Sequence, residues 1–211
     1  MKKIEFKPLI TTILLITFQT ACYFISKMLE GTPHLIGNSI DDFIPFNMIF
    51  IIPYCLWYLL IFVVPYYIYK KDKDLFIRYI YCYILCTILA NIIFIIYPTT
   101  VIRPDVIVKG PISFLTNFIF WTDTPIMNCF PSLHCAMSFI FIAYILEAKG
   151  IKKIVKISVI IISILIMIST LFIKQHVFID LISGNVLAII SYLIIKKFYK
   201  KDNLLKKLLK D

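Results

Sequence analysis

Two histidines, one carboxylate and one arginine carry most of the chemistry that this sequence can offer. The chain has three histidines, and two of them stand at helix-start signals: His134 in Phe130-Pro131-Ser132-Leu133-His134, and His176 four residues ahead of Asp180. Pro131 suits the first turn of a helix, and the free N–H groups of that turn, with the Ser132 hydroxyl, favour an anion. If His176 opens a helix, Asp180 shares its face one turn deeper. A carboxylate there fixes one imidazole tautomer and stabilises the charged form. One oriented imidazole and one free imidazole are the parts of nucleophilic and acid–base catalysis. Arg103-Pro104 adds a cation for anionic oxygens. Each residue also has a plainer reading: a histidine at a polar rim, or a serine that only caps a helix.

Nothing in the pattern calls for a metal or a cofactor. The cysteines are Cys22, Cys55, Cys82, Cys86, Cys129 and Cys135, with no Cys-x-x-Cys pair. Cys82 and Cys86 share a helix face, but no histidine or carboxylate nearby completes a set. Cys129 and Cys135 flank the His134 motif, and a disulfide between them is left open.

The elements that position these groups are membrane helices. The chain has 211 residues, is 61% apolar and has a mean hydropathy of +0.91. A soluble domain needs far more polar surface. Six segments reach the ~20 apolar residues of a span: residues 8–29, 46–69, 75–97, 131–148, 154–173 and 176–198. The expected fold is all-α, a single six-helix membrane domain over residues 1–211, with 199–211 as a basic tail. Met1-Lys2-Lys3 before an apolar stretch has the form of a signal peptide, but no small-residue cleavage site follows. Residues 8–29 are therefore expected to stay as the first span.

Charge sets the expected orientation. The net charge of +10 sits in short clusters between apolar runs, not in a basic groove interleaved with aromatics, so no nucleic-acid partner is expected. With six spans, 17 of the 22 Lys and Arg residues fall on one side, at the N-terminus, around Lys70 and Lys149, and in the tail. Lys27, Arg103, Lys109 and Lys174 fall on the other, and Arg78 lies just inside the third span. The positive side is cytoplasmic, which puts both termini inside and the histidines at the outer face. The outer connector 98–130 contains a short apolar piece near 112–121, too short to span and suited to the membrane interface. Leu204 to Leu209 carries an apolar stripe that fits an anionic leaflet or a plain solvated tail.

At the histidines and Arg103 the sequence resembles the type 2 phosphatidic acid phosphatase (PAP2) superfamily. Its signatures are Lys-x6-Arg-Pro, Pro-Ser-Gly-His and Ser-Arg-x5-His-x3-Asp. They are matched by Arg103-Pro104 with Ile96 at the lysine position, by Pro131-Ser132-Leu133-His134, and by Ser169-Thr170, His176 and Asp180. The departures, with Tyr97-Pro98-Thr99-Thr100 and Lys174-Gln175-His176, resemble the inositol phosphorylceramide synthase-like branch. The resemblance implies a metal-independent mechanism on a lipid phosphate substrate. His176 would be the nucleophile, Asp180 its partner and His134 the acid and base. Arg103, Ser132, Thr170 and Lys174 would bind phosphate, Lys174 standing in for a missing cation. Asn128, Pro131 and Ser169 would adjoin the substrate.

Three functions follow as expectations. The first is a lipid phosphatase, the second a phosphotransferase that passes a phosphoryl headgroup between lipids, and the third a non-catalytic lipid transporter or binding protein. Asp41, Asp42 and Asp123 read as solvated loop acids, and His34 as surface. Gly184 reads as a close helix contact. The lipid headgroup, the acceptor and the oligomeric state are not legible.

Overall fold

The computed structural model describes residues 5–29 and 31–200. Lys2 and Lys3 at the start, and the tail from residue 201 with its apolar stripe, lie outside the described residues. Eight helices and two short strands follow in order: α1 (Lys7–Leu29), β1 (His34–Leu35), α2 (Ser39–Asp42), α3 (Ile51–Lys71), α4 (Lys73–Ile96), β2 (Thr99–Thr100), α5 (Pro111–Thr122), α6 (Leu133–Glu147), α7 (Lys153–Phe172) and α8 (Phe178–Phe198). A 3-10 turn, Met48–Phe50, leads into α3.

Among the described residues, five helices are long and apolar enough to cross a membrane: α1, the Met48–Lys71 unit, α4, α7 and α8. The six-span expectation is met by only five on that measure. The segment at 131–148 forms α6, which has 15 residues and is about 22 Å long, short of the ~30 Å hydrocarbon layer. Its brevity goes with its place. It packs against α3, α4, α7 and α8, and Cys135, Ala136, Met137, Ile140 and Phe141 are wholly buried. It sits among α3, α4, α7 and α8, while α1 packs against α3 and α4. Pro53 causes α3 no loss, because it falls in the first turn, where an N–H would have no helical partner.

The two ends of the bundle differ in chemistry. Glu5, Lys70, Arg78, Glu147 and Lys196 pair at one end. Gly150, with φ of +72°, turns the chain there between α6 and α7. The other end is built from connectors. β1 and β2 pair in parallel, His34 with Thr99 and Leu35 with Thr100. The Thr99 hydroxyl accepts the Phe130 N–H at 2.8 Å. The first connector is thereby fastened to the chain that enters α6.

Candidate active site

His134 enters the site on the first turn of α6. Ser132 is the N-cap: its hydroxyl accepts the Cys135 N–H at 3.3 Å, and its own N–H donates to the Asp180 carbonyl at 3.2 Å. Ser132 is fully buried in this role. The His134 ring lies between Tyr54 and Trp57 of α3, with centroids 4.7 and 4.9 Å away.

His176 is not in a helix. The sequence places a helix start at residue 176, whereas α8 begins at Phe178 and Val177 is its N-cap. The pairing with Asp180 survives for a different reason. Asp180 is the third helical residue, and its Oδ2 turns back to accept the Val177 N–H at 3.0 Å, a capping contact. The same oxygen lies 3.3 Å from His176 Nδ1. The His176 N–H donates to the Thr170 carbonyl at 3.1 Å. With Nδ1 directed at the carboxylate, Nε2 keeps its lone pair.

The two imidazoles face one another with ring centroids 5.9 Å apart and planes at 57°. Both line a cavity of about 360 Å³. Its walls descend along Tyr23 and Ile16 of α1 and along Tyr54 and Phe62 of α3. Tyr54 and Phe62 are eight positions apart on α3, which makes this wall about 12 Å deep.

Arg103 lies behind the cavity wall, which it reaches through Asp123 and Gln175, and its side chain is only 4% exposed. Nη2 donates to Asp123 Oδ2 at 2.5 Å and to Gln175 Oε1. Both acceptors line the same cavity. Asp123 also accepts from the Tyr23 hydroxyl at 2.6 Å. Phe120 lies under the guanidinium at 5.1 Å. Arg103 Nε and Nη1 and Gln175 Nε2 are buried without a hydrogen-bond partner. Three unpaired donors beside two imidazoles are costly for folding alone and are suited to an anion.

The remaining sequence candidates scatter. Lys174 is turned away, its ammonium donating to the carbonyls of Asp41 and Ile44 at 2.9 and 2.6 Å. The Thr170 and Ser169 hydroxyls bond back to Met167 and Ile166 within α7. Asn128 lines the cavity with Oδ1 unpaired, while Nδ2 donates to Ser26. Pro131 is buried beside its cap. Ile96 is 77% exposed at the end of α4. Cys129 and Cys135 are free thiols, and burial, followed by the neighbouring Asp180 carboxylate, pushes the Cys129 thiol far up. Among the described residues no three His, Cys, Asp or Glu side chains converge as a metal site.

Sequence reasoning missed Asp123, Gln175, Tyr23, Tyr54 and Trp57. One signal was available for Asp123: it is one of few acids on a side with only four cations. The others are ordinary residues of membrane helices until their neighbours are known.

The family model for the PAP2 superfamily matches residues 75–204, more than half of the chain. The chain belongs to the PAP2 superfamily. No curated protein and no solved structure matches it. Members of the PAP2 superfamily are generally phosphatases or phosphotransferases, chemistry that an imidazole pair beside unpaired guanidinium donors suits. The PAP2 match begins at α4. Tyr23, Tyr54 and Trp57, which wall the cavity, therefore lie outside it.

Proposed function

We propose that this chain is a membrane lipid phosphatase that hydrolyses a lipid phosphate monoester or diphosphate. The observation that carries the reading is the His134–His176 pair lining one cavity, with an apolar shaft below it and the unpaired Arg103 donors behind its Asp123 and Gln175 wall. A phosphate fits the donors, and an acyl or prenyl chain fits the shaft between α1 and α3.

His176 Nε2 attacks phosphorus, and the P–O bond to the lipid breaks. His134 gives its proton to the departing oxygen. Asp180 holds Nδ1–H and balances the charge on the phosphohistidine. Arg103 Nε and Nη1, with the Gln175 amide, bind the phosphoryl oxygens as charge builds on them. Water then attacks phosphorus while His134 takes its proton, and phosphate leaves with His176 restored. In this reading Ser132 acts through α6, as the cap that places His134, and Thr170 through the carbonyl that holds His176.

The topology completes the reading. In this reading α6, the fourth in chain order, is the span that brings the number to six, short because four longer helices pack around it. Both termini are cytoplasmic by the positive-inside rule, and the site opens at the outer leaflet of the cell membrane.

Purified protein in detergent, offered phosphatidic acid, phosphatidylglycerophosphate and a polyprenyl diphosphate, is expected to release inorganic phosphate from at least one. His176→Ala is expected to abolish release, and retained activity sinks the nucleophile. Lipid-to-lipid headgroup transfer without phosphate release would instead establish a phosphotransferase of the inositol phosphorylceramide synthase-like branch. The departures at Ile96 and Thr170 favour that second reading. No turnover, with no binding of vanadate, would leave a lipid-binding or transport protein.

A further inference from the structure

We propose that Asp41 is a positioning residue for His176, acting through the turn that joins α7 to α8. Asp41 lies in the first connector, outside the residues that the family model matches. Its Oδ2 accepts the Asn38 N–H at 2.9 Å and closes the capping box of α2. Its Oδ1 accepts the Phe178 N–H at 2.7 Å. Its backbone carbonyl accepts the Lys174 ammonium at 2.9 Å, and the Ile44 carbonyl accepts the same ammonium at 2.6 Å. Three residues further on, the Asn47 N–H donates to the Phe172 carbonyl at 2.9 Å. The connector thus grips the turn at residues 172, 174 and 178, on both sides of His176.

The grip bears on the imidazole through Asp180. A helix start leaves its first N–H groups without helical partners. In α8 the Val177 N–H goes to Asp180 Oδ2 and the Phe178 N–H to Asp41 Oδ1. Asp180 Oδ2 must also hold His176 Nδ1. Asp180 Oδ1 is buried without a partner, so without Asp41 the freed Phe178 N–H draws that oxygen toward itself and turns the carboxylate away from the imidazole. Lys174 has φ of +55°, a conformation that non-glycine residues rarely hold unless the surroundings impose it. The C-cap of α7 imposes it, since the Gln175 and Lys174 N–H groups donate to the Thr170 and Leu171 carbonyls at 3.0 and 3.1 Å, and the ammonium on two connector carbonyls anchors that cap to the connector. The lysine at the predicted phosphate position is therefore committed to the clasp.

The proposal rests on His176 as the nucleophile. The test measures kcat and KM of the full-length protein on the lipid phosphate turned over fastest. Asp41→Ala is expected to lose roughly 10²-fold in kcat, the cost of a misplaced reacting group, with KM unchanged. Asp41→Asn keeps an oxygen for the Phe178 N–H and is expected to recover most of kcat. Wild-type kcat in Asp41→Ala, equal losses in the two variants, or a change in KM alone overturns the proposal. If Asp41→Ala does not fold, Lys174→Met, which leaves the α2 capping box intact, must show the kcat loss, and full kcat there overturns it. His176→Ala in the same assay separates the two ideas. Its activity would remove the nucleophile; its inactivity beside a fully active Asp41→Ala removes only the positioning role.

Discussion

A methyl group on Gly184 would stand 2.4 Å from the backbone oxygen of Ser132 and 3.2 Å from Cys135 Cβ. α8 therefore touches α6 backbone to side at the turn that carries His134. His134 stands on the first turn of α6 and His176 leads into α8, so this close approach is expected to bear on the spacing of the two imidazoles. Gly184→Ala must push the helices apart, which costs about 1–3 kcal/mol as overpacking. A lower unfolding midpoint and a fall in kcat are expected together, and Gly184→Ala with wild-type kcat would show that the histidine spacing does not depend on this contact.

Arg103 is held by Asp123 and Gln175, residues 20 and 72 positions away. In the proposed mechanism its two unpaired nitrogens bind the phosphoryl oxygens. Arg103→Ala is expected to lower turnover by roughly 10²-fold or more, as for other donors to a developing oxyanion. Arg103→Lys should recover little, since one ammonium cannot span two acceptors and a substrate. Asp123→Ala should lose less, and the double variant should lose less than the product of the two singles, because both act through one guanidinium. Multiplicative losses in a double-mutant cycle would mean that Asp123 does not hold Arg103.

The sequence exposes what is local. The ends of the long helices lie within about two residues of expectation, because apolar runs end at charges, prolines and caps; the exception is the start of α3, expected at residue 46 and found at Ile51 behind the 3-10 turn. The His176–Asp180 pair was legible from spacing, although the contact belongs to an N-cap and not to a helix face. What failed was long-range. Lys174 was expected to stand in for a missing cation, whereas its ammonium is taken by two carbonyls of the first connector. Asp41 and Asp123 read as solvated acids, since nothing near them in the chain reveals Phe178 or Arg103. The 131–148 segment reads as an ordinary span, because only the packed bundle shows that α6 is enclosed.

α5 presents Phe114, Phe118 and Trp121 on one exposed face, while Ser113, Thr116 and Ile119 are buried. Ile119 and Thr122 line the cavity. The helix thus roofs the shaft, with an aromatic face suited to the bilayer interface. Trp121 fluorescence in vesicles should be quenched by lipids brominated near the headgroup more than by lipids brominated near the chain ends. Trp57, the other tryptophan, lies in α3 and is buried, so Trp57→Phe isolates the signal. Equal quenching at every depth would place α5 elsewhere.

Cys129 adjoins the site, yet its thiol is held protonated at neutral pH. Burial and the Asp180 carboxylate both raise its pKa, and the thiolate is the reactive form. A group raised in this way gains thiolate only as pH climbs well above the ordinary thiol range. Folded protein carrying Cys129 as its sole cysteine should resist maleimide at pH 7 and label promptly in denaturant. Asp180→Asn removes the negative neighbour but not the burial, the larger cause, so labelling at pH 7 should rise only slightly. Fast labelling of the folded protein at pH 7 would mean that solvent and reagent reach Cys129 through the cavity that it lines.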